Sequence, residues 1–453
     1  MAGKEGKFVS GRVKEYEGYI DLNYRPDKED FVCEYYLEPA KGITFESAAQ
    51  RIASESSIGT WTDIGTLSKK IFDELSPKIF WMNKKEGLVK IAFSKKLFEE
   101  RNVSQILSSV AGNVFGMSDV NNLRLIDIDL PESFIKHYHG PYYGIEGVRH
   151  LMKVKDRPFV GTIVKPKLGL DEKGHARVAY EAWSGGCDYV KDDENLTSMS
   201  FNNFYKRVNY TLKMRDKAER ETGETKAYLA NVTAPYNEML KRAKHVVSSG
   251  GKFVMVDVIT IGWSGLQELR DQDLNVVYHA HRAMHAAFTR NPKHGVSMLV
   301  IAKLCRLIGM DQLHIGGMVG KMFETEDDVR TVGEEIEHKV VHSHLATHRL
   351  KEDWHNLRPM LAVCSGGLHP AKVAPIIHAL GRDVIIQAGG GIHGHPGGTV
   401  AGAKAMRQAI DAEMSGTTPE EYAKTHSELR AALEKWEGLN FYEKHYAKVR
   451  KRK

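Results

Sequence analysis

A lysine stands directly before three acidic residues in the sequence GGCDYVKDDENLTS, residues 185–198. Asp192, Asp193 and Glu194 offer carboxylate oxygens, which are the ligands that Mg2+ prefers in proteins. Side chains alternate between the two faces of a strand, so Lys191 and Asp193 share a face and Glu194 joins them where the strand ends. The spacing is typical of a metal site, and a solvated cluster of charges in a loop is the alternative.

The ammonium group of Lys191 needs an explanation, because a positive charge repels a metal ion. A neutral lysine amine can add CO2 and become a carbamate, which carries a negative charge and two oxygens. The carbamate of Lys191 would then join Asp193 and Glu194 as an oxygen ligand and leave open positions for a substrate. The cofactors predicted from these residues are Mg2+ and CO2, the latter as the lysine carbamate.

Two further lysines lie close together in the sequence KPKLGL, residues 165–170. Lys165 and Lys167 are two positions apart, and Pro166 favours an extended backbone before it. Two like charges on one face favour the neutral form of one lysine, which can then exchange protons near neutral pH. A pair of phosphate-binding or surface lysines is the alternative.

The sequence VVYHAHRAMH, residues 276–285, contains His279 and His281 in an H-x-H pair, which can bind zinc. Barrel metallohydrolases of the amidohydrolase type combine such a pair with a carbamylated lysine, so this class is an alternative function. In those enzymes, however, the pair precedes the lysine, whereas here it follows Lys191. Arg282, beside the pair, fits the binding of a phosphate or a carboxylate better.

Glycine-rich segments and a candidate lid complete the set. CSGGLHP, residues 364–370, and QAGGGIHGHPGG, residues 387–398, would let backbone N–H groups approach an anion closely. GMVGKMFETE, residues 317–326, places Lys321 on a loop that could close over a site and stabilise a developing anion. Ordinary turns and an ordinary surface lysine are the alternatives.

Eight short apolar runs precede these groups, and helical patterning fills most of the segments between them. Alternating buried strands and helices predict a parallel sheet. Eight units in about 250 residues predict a (β/α)8 TIM barrel, with its active site at the carboxyl ends of the strands. A doubly wound sheet is the alternative, but the first strand is not followed by G-x-G-x-x-G. The runs are Phe159 to Lys165, Cys187 to Asp193, Tyr228 to Thr233, Phe253 to Val258, Val276 to Arg282, Gln312 to Gly317, Met360 to Gly367 and Val384 to Gly391.

The chain before the barrel has a different pattern. The segments YIDLNYRP, KIFWMNKKEGLVKIAFS and NLRLIDIDLP predict strands, and helices are expected near residues 47–54 and 103–110. TPEEYAKTHSELRAALEKW, near the other end, predicts one amphipathic helix. We therefore predict an α+β domain over residues 1–140, the barrel with C-terminal helices over 141–440, and a basic tail over 441–453.

The composition excludes several classes of protein. The 453 residues have a net charge of +6, which is mild for a nucleic-acid binder. No apolar run has the length of a membrane span and no secretory signal is visible, so a cytoplasmic location is expected. Four widely spaced cysteines predict buried thiols in a reducing compartment rather than a disulfide or zinc framework.

Taken in order, the motifs resemble one family. GTIVKPKLGL, GGCDYVKDDEN, HAHRAMHAAF, HIGGMVGK, SGGLHP and QAGGGIHGHPGG look like the large chain of RuBisCO, ribulose-1,5-bisphosphate carboxylase/oxygenase. ASESSIGTWT and AGNVFGM extend the resemblance to the N-terminal region, so that it covers nearly the whole chain. The sequences of these motifs are most similar to those of the archaeal form III or a related microbial form.

The resemblance implies a role for each matching residue. Lys191 would be the carbamylated lysine that holds Mg2+ with Asp193 and Glu194. Lys165 would protonate the final carbanion, His281 would assist proton transfers, and Lys321 would stabilise the incoming CO2. The implied substrate-binding residues are Glu55, Thr60, Trp61, Asn113, Lys167, Arg282, His314, Ser365, Gly366, Gly367, Gln387, Gly389 and Gly390.

The family supplies four of these groups from the N-terminal domain of a partner subunit, so the resemblance implies a homodimer or a larger assembly of dimers with shared sites. The four are Glu55, Thr60, Trp61 and Asn113. No small subunit, nucleic acid or membrane partner is expected.

The implied reaction is carboxylation of ribulose 1,5-bisphosphate to two molecules of 3-phosphoglycerate, with O2 as a competing substrate. It proceeds through an enediolate held by Mg2+. Ile163 and Ile315 depart from the commonest residues of the family, and the lid lacks a glycine soon after its lysine. The resemblance therefore implies the reaction class but not the CO2/O2 selectivity or the lid motion. A RuBisCO-like enolase or isomerase of sulfur salvage is the alternative within the fold.

Overall fold

The structure is a computed structural model that describes residues 18–60, 62, 64–318 and 323–436. Two predicted site residues, Trp61 and Lys321, lie outside the described residues, as does the predicted basic tail. The described strands are β1 (Asp30–Pro39), β2 (Lys78–Asn83), β3 (Leu88–Ser94), β4 (Val120–Asp129), β5 (Phe159–Ile163), β6 (Tyr189–Lys191), β7 (Ala227–Asn231), β8 (Phe253–Asp257), β9 (Val277–His281), β10 (Gly295–Val296), β11 (Gln312–Gly316), β12 (Val340–Val341), β13 (Glu352–Asp353), β14 (Leu361–Ser365) and β15 (Val384–Gln387).

Helices occupy most of the segments between the barrel strands. Among those described, no helix is both long and apolar enough to cross a membrane. The α-helices are Phe45–Glu55, Lys69–Leu75, Val103–Val110, Glu132–Ile135, Gly144–Met152, Glu172–Ser184, Phe204–Thr222, Tyr236–Ser248, Val258–Ile261, Trp263–Asp271, Ala286–Thr289, Met298–Ile308, Glu326–Glu337, Val373–Leu380, Gly390–His393, Gly398–Met414, Pro419–Ala423 and Ser427–Trp436.

Eight parallel strands close into a barrel, which confirms the predicted (β/α)8 fold. Their order around the barrel is β11-β14-β15-β5-β6-β7-β8-β9. All eight predicted apolar runs overlap one of these strands. Alternate side chains point inward and form a buried cluster that includes Phe159, Tyr189, Val277, Leu361 and Ile385. The next inward positions toward the carboxyl ends carry the polar groups described below.

The chain packs as two compact units. The first contains the described residues within 1–139, 284–307 and 339–357, and the second contains those within 140–283, 308–338 and 358–453. The first unit has a five-stranded sheet in the order β10-β4-β1-β3-β2. In this unit the buried Lys303 ammonium lies 2.8 Å from an oxygen of the buried Asp127. The domain boundaries given above stay a prediction.

Two local predictions are wrong. YIDLNYRP makes only an isolated bridge, between Ile20 and Ile79, and the strand follows at Asp30–Pro39. That strand lies between β3 and β4, and its near-continuous burial hides the alternation that would mark it. The single helix predicted near the C-terminus is two helices, because Thr425 and His426 hydrogen-bond to the Tyr422 carbonyl at the break.

All four cysteines are buried free thiols, as predicted. Burial in apolar surroundings raises the pKa of each thiol. They therefore behave as small packing residues.

Candidate active site

Lys191 is buried inside the barrel at the end of β6, with 1% of its surface exposed. Its Nζ lies 2.8 Å from the Asp192 carbonyl, 3.4 Å from Sδ of Met255 and 3.7 Å from Oε2 of Glu194. Burial lowers the pKa of Lys191, and the nearby carboxylates of Glu194 and Asp193 only partly oppose this effect. A lysine in this position is pushed toward the neutral amine.

The three consecutive acids have different contacts, and the carboxylate of Asp192 is directed into the protein. The Asp192 carboxylate is fully buried and accepts hydrogen bonds from Arg207 at 3.1 Å, the Tyr228 hydroxyl at 2.7 Å and the Asn231 backbone N–H at 2.9 Å. The oxygen that accepts from Tyr228, Oδ1, also lies 3.0 Å from Nε2 of His175. Burial alone would raise the pKa of Asp192, but the Arg207 charge and these donors hold it below its usual range. Asp192 is therefore a structural anchor for the strand end.

Asp193 faces Lys165 instead. Oδ2 of Asp193 accepts a hydrogen bond from Lys165 Nζ at 2.8 Å, and its Oδ1 accepts from the Asn195 side chain at 2.9 Å. The Asn231 side chain donates to the backbone carbonyls of Asp193 and Glu194, at 3.3 and 3.1 Å. The structure thus brings together the ends of β5, β6 and β7, as the strand-end argument predicts.

His281 and Asp257 lie on the other side of Glu194. The ring of His281 places Nε2 3.6 Å from Oε2 of Glu194 and Nδ1 3.1 Å from Oδ1 of Asp257. Burial lowers the pKa of His281 to about 3, assisted by the charge of Lys191. Burial also raises the pKa of Asp257 to about 6. The histidine is neutral at neutral pH and can accept or donate one proton.

The donor set fits Mg2+ only if Lys191 is modified. Among the described residues, no group of three or more His, Cys, Asp or Glu side chains is arranged to hold a metal ion. Asp193 and Glu194 provide two hard oxygen donors after β6, and Oε2 of Glu194 lies 3.7 Å from the buried Lys191 amine, which is pushed toward its neutral form. A carbamate on that amine would supply the third oxygen ligand, so the residues fit the ion.

A chain of buried hydrogen bonds occupies β9, β11 and β14. Nε2 of His279 lies 2.9 Å from Nε2 of His314, and Nδ1 of His314 lies 2.8 Å from Oγ of Ser365. Nδ1 of His279 lies 2.8 Å from Oε1 of Gln312. Both ring nitrogens of His279 are therefore engaged within the protein, which argues against a zinc-binding H-x-H pair.

Arg282 follows β9 and is 5% exposed. One of its terminal nitrogens lies 2.7 Å from Oε1 of Glu324, and its Nη1 has no hydrogen-bond partner in the described part of the chain. Burial lowers the pKa of Arg282, and the charge of Glu324 opposes that effect. A buried guanidinium with an unpaired N–H group can bind an anion.

The ends of β14 and β15 bring backbone close to these side chains. Gly366 and Gly367 have φ angles of 108° and 74°, a conformation that favours glycine. A Cβ at Gly389 would lie 3.1 Å from Cε of Lys165, whereas Gly390 faces open space. The buried Gln387 amide has no hydrogen-bond partner among the described residues. This corner of the barrel can thus accept a polar ligand.

The remaining predicted residues divide between the two units. Lys167 is exposed in the loop after β5. Glu55 ends the helix Phe45–Glu55, Thr60 lies in the loop that follows, and Asn113 is exposed at the start of a short 3-10 helix; all three belong to the first unit.

Sequence reasoning missed several groups of this site. Asp257 was hidden inside the apolar run of β8, and Gln312 stands at the start of β11, the end opposite to the expected chemistry. Glu324 comes three positions after Lys321, the predicted lid lysine. A polar residue at an inward position of a barrel strand was the signal that could have identified Gln312.

Family models match nearly all of the described chain. The N-terminal domain model of the ribulose bisphosphate carboxylase large chain matches residues 18–134. The catalytic domain model of the same large chain matches residues 144–436.

Similar proteins and solved structures agree with these matches. The ribulose bisphosphate carboxylase of Methanosarcina acetivorans is 51% identical over 421 residues, covering 92% of this chain and 98% of that protein. A dimeric archaeal Rubisco from Hyperthermus butylicus has a TM-score of 0.87 at 43% identity, covering 92% and 98% of the two chains. An octameric Rubisco from Pyrococcus horikoshii, crystallised with sulfate, has a TM-score of 0.84 at 47% identity, covering 92% and 95%.

Proposed function

Since the chain belongs to the family of ribulose bisphosphate carboxylase large chains, we propose that it carboxylates ribulose 1,5-bisphosphate to two molecules of 3-phosphoglycerate, with oxygenation as a competing reaction. The observation that carries the proposal is the buried Lys191 at the carboxyl end of the barrel, whose Nζ lies 3.7 Å from Oε2 of Glu194. A charged lysine is costly there, whereas a lysine converted to a carbamate gains a metal site.

Lys191, Asp193 and Glu194 would hold Mg2+, with Lys191 as its carbamate. When bound, Mg2+ supplies a Lewis acid that polarises the oxygens of the substrate. Asp192 contributes by fixing the backbone of these residues through Arg207 and the Asn231 N–H group. This anchoring matters because a metal site requires its ligands at defined positions.

The surrounding residues would bind the substrate and move protons. Lys165, which Asp193 orients, would deliver a proton to the final carbanion. The neutral His281 would transfer protons at the hydroxyl groups of the substrate. Arg282 would bind one phosphate group with His314, and Ser365 and the strand-end glycines would bind the substrate and its phosphates. Lys321, on the lid, would stabilise the carboxylate that forms from CO2.

We further propose that the active unit is a homodimer, or an assembly of dimers, without a small subunit. Glu55, Thr60, Trp61 and Asn113 resemble substrate-binding residues of the family but lie outside the barrel. A partner subunit would contribute them. The solved relatives described above include a dimer and an octamer, which supports this assembly.

The test is incubation of the protein with labelled bicarbonate, Mg2+ and ribulose 1,5-bisphosphate. We expect labelled 3-phosphoglycerate, formed faster after preincubation with CO2 and Mg2+. Lys191→Ala should abolish product, whereas Lys96→Ala, which removes an exposed lysine paired with Glu74, should not. Enolisation of a sugar phosphate without carboxylation would favour the enolase or isomerase alternative. Full activity of Lys191→Ala would refute the metal site.

A further inference from the structure

The inner half of the buried hydrogen-bond chain has no role in the mechanism above. From the core outward it runs through Tyr189, Gln312, His279, His314 and Ser365, which we call the relay. The Tyr189 hydroxyl lies 3.2 Å from Nε2 of Gln312. The next contacts are 2.8 Å from Gln312 to His279, 2.9 Å from His279 to His314 and 2.8 Å from His314 to Ser365.

The two imidazole rings of the relay are neutral. His279 is fully buried and His314 is 2% exposed. Burial lowers the pKa of His279 to about 3 and that of His314 well below its usual value. A neutral imidazole has one N–H group and one lone pair, so each ring donates at one nitrogen and accepts at the other. The contact between the two Nε2 atoms thus requires one donor and one acceptor.

This requirement permits two consistent arrangements. In the first, the Gln312 oxygen accepts from His279 Nδ1–H. His279 Nε2 then accepts from His314 Nε2–H, and His314 Nδ1 accepts from the Ser365 hydroxyl. The structure places the Gln312 amide in this orientation.

In the second arrangement the Gln312 amide is turned over, which changes its shape little. Its NH2 group donates to His279 Nδ1, and its oxygen accepts from the Tyr189 hydroxyl. His279 then carries its proton on Nε2 and His314 carries its proton on Nδ1. The Ser365 hydroxyl accepts from His314, and its own hydrogen is free for a ligand. Both arrangements hold the same number of protons.

We propose that Gln312 and His279 are positioning residues that determine which ring nitrogen of His314 carries the proton, and that a phosphate group of the substrate selects the second arrangement. The inference rests on the proposed function, because it takes the substrate to be a bisphosphate. An anion gains from N–H and O–H donors and is repelled by lone pairs, so it binds the two arrangements with different affinity.

The proposal distinguishes the relay from simple core packing. Packing requires only that the side chain at position 279 fill its volume. The relay requires in addition a group near the position of Nε2 that can either donate or accept. A glutamine amide can do both and reaches a similar distance from the backbone, whereas leucine can do neither.

The kinetic test compares His279→Gln with His279→Leu. A contact made equally in the ground and transition states affects KM rather than kcat. We expect His279→Leu to raise the KM for ribulose bisphosphate at least about tenfold with kcat within about threefold of the original, and His279→Gln to keep both within about threefold. An unchanged KM in folded His279→Leu, or equal losses in both variants, would overturn the proposal.

A direct test uses the original protein, so it does not depend on the folding of a variant. Protein labelled with 15N-histidine is observed by NMR with and without ribulose bisphosphate, in the absence of Mg2+ and CO2. The variants His314→Gln and His279→Gln identify which ring-nitrogen signals belong to His314 and which to His279. We expect binding to move the proton of His314 from Nε2 to Nδ1 and that of His279 from Nδ1 to Nε2. A bound ligand that leaves both rings unchanged, or changes only one, refutes the relay. If ribulose bisphosphate binds but no 3-phosphoglycerate forms in the labelled-bicarbonate assay, the proposed carboxylation is refuted. The NMR measurement still shows whether binding moves the ring protons of His279 and His314.

Discussion

Neighbouring aspartates at the end of β6 should give opposite phenotypes when each is replaced by asparagine. Asp192 faces the protein interior and Asp193 faces Lys165. Asparagine has the same shape as aspartate, so neither substitution opens a cavity. Asp192→Asn should therefore report on the stability of the fold, and Asp193→Asn on the chemistry of the site.

The expected magnitudes follow from the burial of the partners. The side chains of Asp192 and Arg207 are both 0% exposed, and removing one charge of such a buried pair costs about 3–5 kcal/mol. The partner of Asp193 is Lys165, whose side chain is 32% exposed. The Asp193 side chain is only 2% exposed, but Lys165 keeps access to water when the pair is broken, so Asp193→Asn should lower the free energy of unfolding by no more than about 1 kcal/mol.

Urea denaturation and the carboxylation assay measure the two effects separately. Asp192→Asn should lower the urea midpoint strongly, and the fraction that stays folded should keep measurable activity. Asp193→Asn should change its urea midpoint little, with product below about one thousandth of the original, because a metal ligand is lost.

Two outcomes would refute this reasoning. If Asp192→Asn is as stable as the original protein, the buried pair with Arg207 does not anchor the strand end. If Asp193→Asn retains carboxylation at near the original rate, Asp193 is not a metal ligand, and the charge-cluster interpretation of the sequence becomes the better one.

Three further predictions follow from other parts of the chain. Lys303→Met should lower the free energy of unfolding by about 3–5 kcal/mol, because it removes the cation between the buried carboxylates of Asp127 and Glu352. Lys293→Met removes an exposed pair with Glu38 and should lower it by less than about 1 kcal/mol. Urea denaturation measures both effects. Mixing inactive Glu55→Gln and Lys191→Ala subunits should restore some carboxylation if sites are shared, and no recovery despite subunit exchange shown by mass would contradict sharing. Lys321→Ala should still exchange the carbon 3 proton with deuterated solvent while forming almost no 3-phosphoglycerate, and near-normal carboxylation would make it an ordinary surface lysine.

The barrel could be predicted from the sequence because parallel strands leave a strong local signal. Each is covered on both faces and is therefore a continuous apolar run, and each ends at the polar residues that carry the chemistry. The same reasoning failed for Asp30–Pro39, in the antiparallel sheet of the first unit. Burial there removes the alternation on which the prediction depends.

Within the candidate site, the sequence predicted where charged residues lie better than it predicted which residues they pair with. Alternation along the strand predicted that Lys191 and Asp193 share a face, and the structure shows Asp193 paired with Lys165 and Asp192 turned into the protein. Nothing in the run of three acids indicates that Arg207 neutralises the first one, Asp192, because the two residues are 15 positions apart. Such pairings depend on the packing of a helix against the barrel, and their residues lie on different elements.

The relay is a second case in which contacts between residues on different strands could not be predicted from a local motif. His279 was first considered as a metal ligand because H-x-H is a local pattern, yet both of its ring nitrogens contact residues from β11. The relay residues lie on four strands, so the chain of contacts exists only when β9, β11 and β14 lie side by side and Tyr189 of β6 reaches Gln312 across the barrel. A polar residue inside a barrel must find a partner there, since an unpaired polar group costs about 1–3 kcal/mol. The inward polar positions of the eight strands are therefore the places where a buried network is to be sought, even when no local motif marks them.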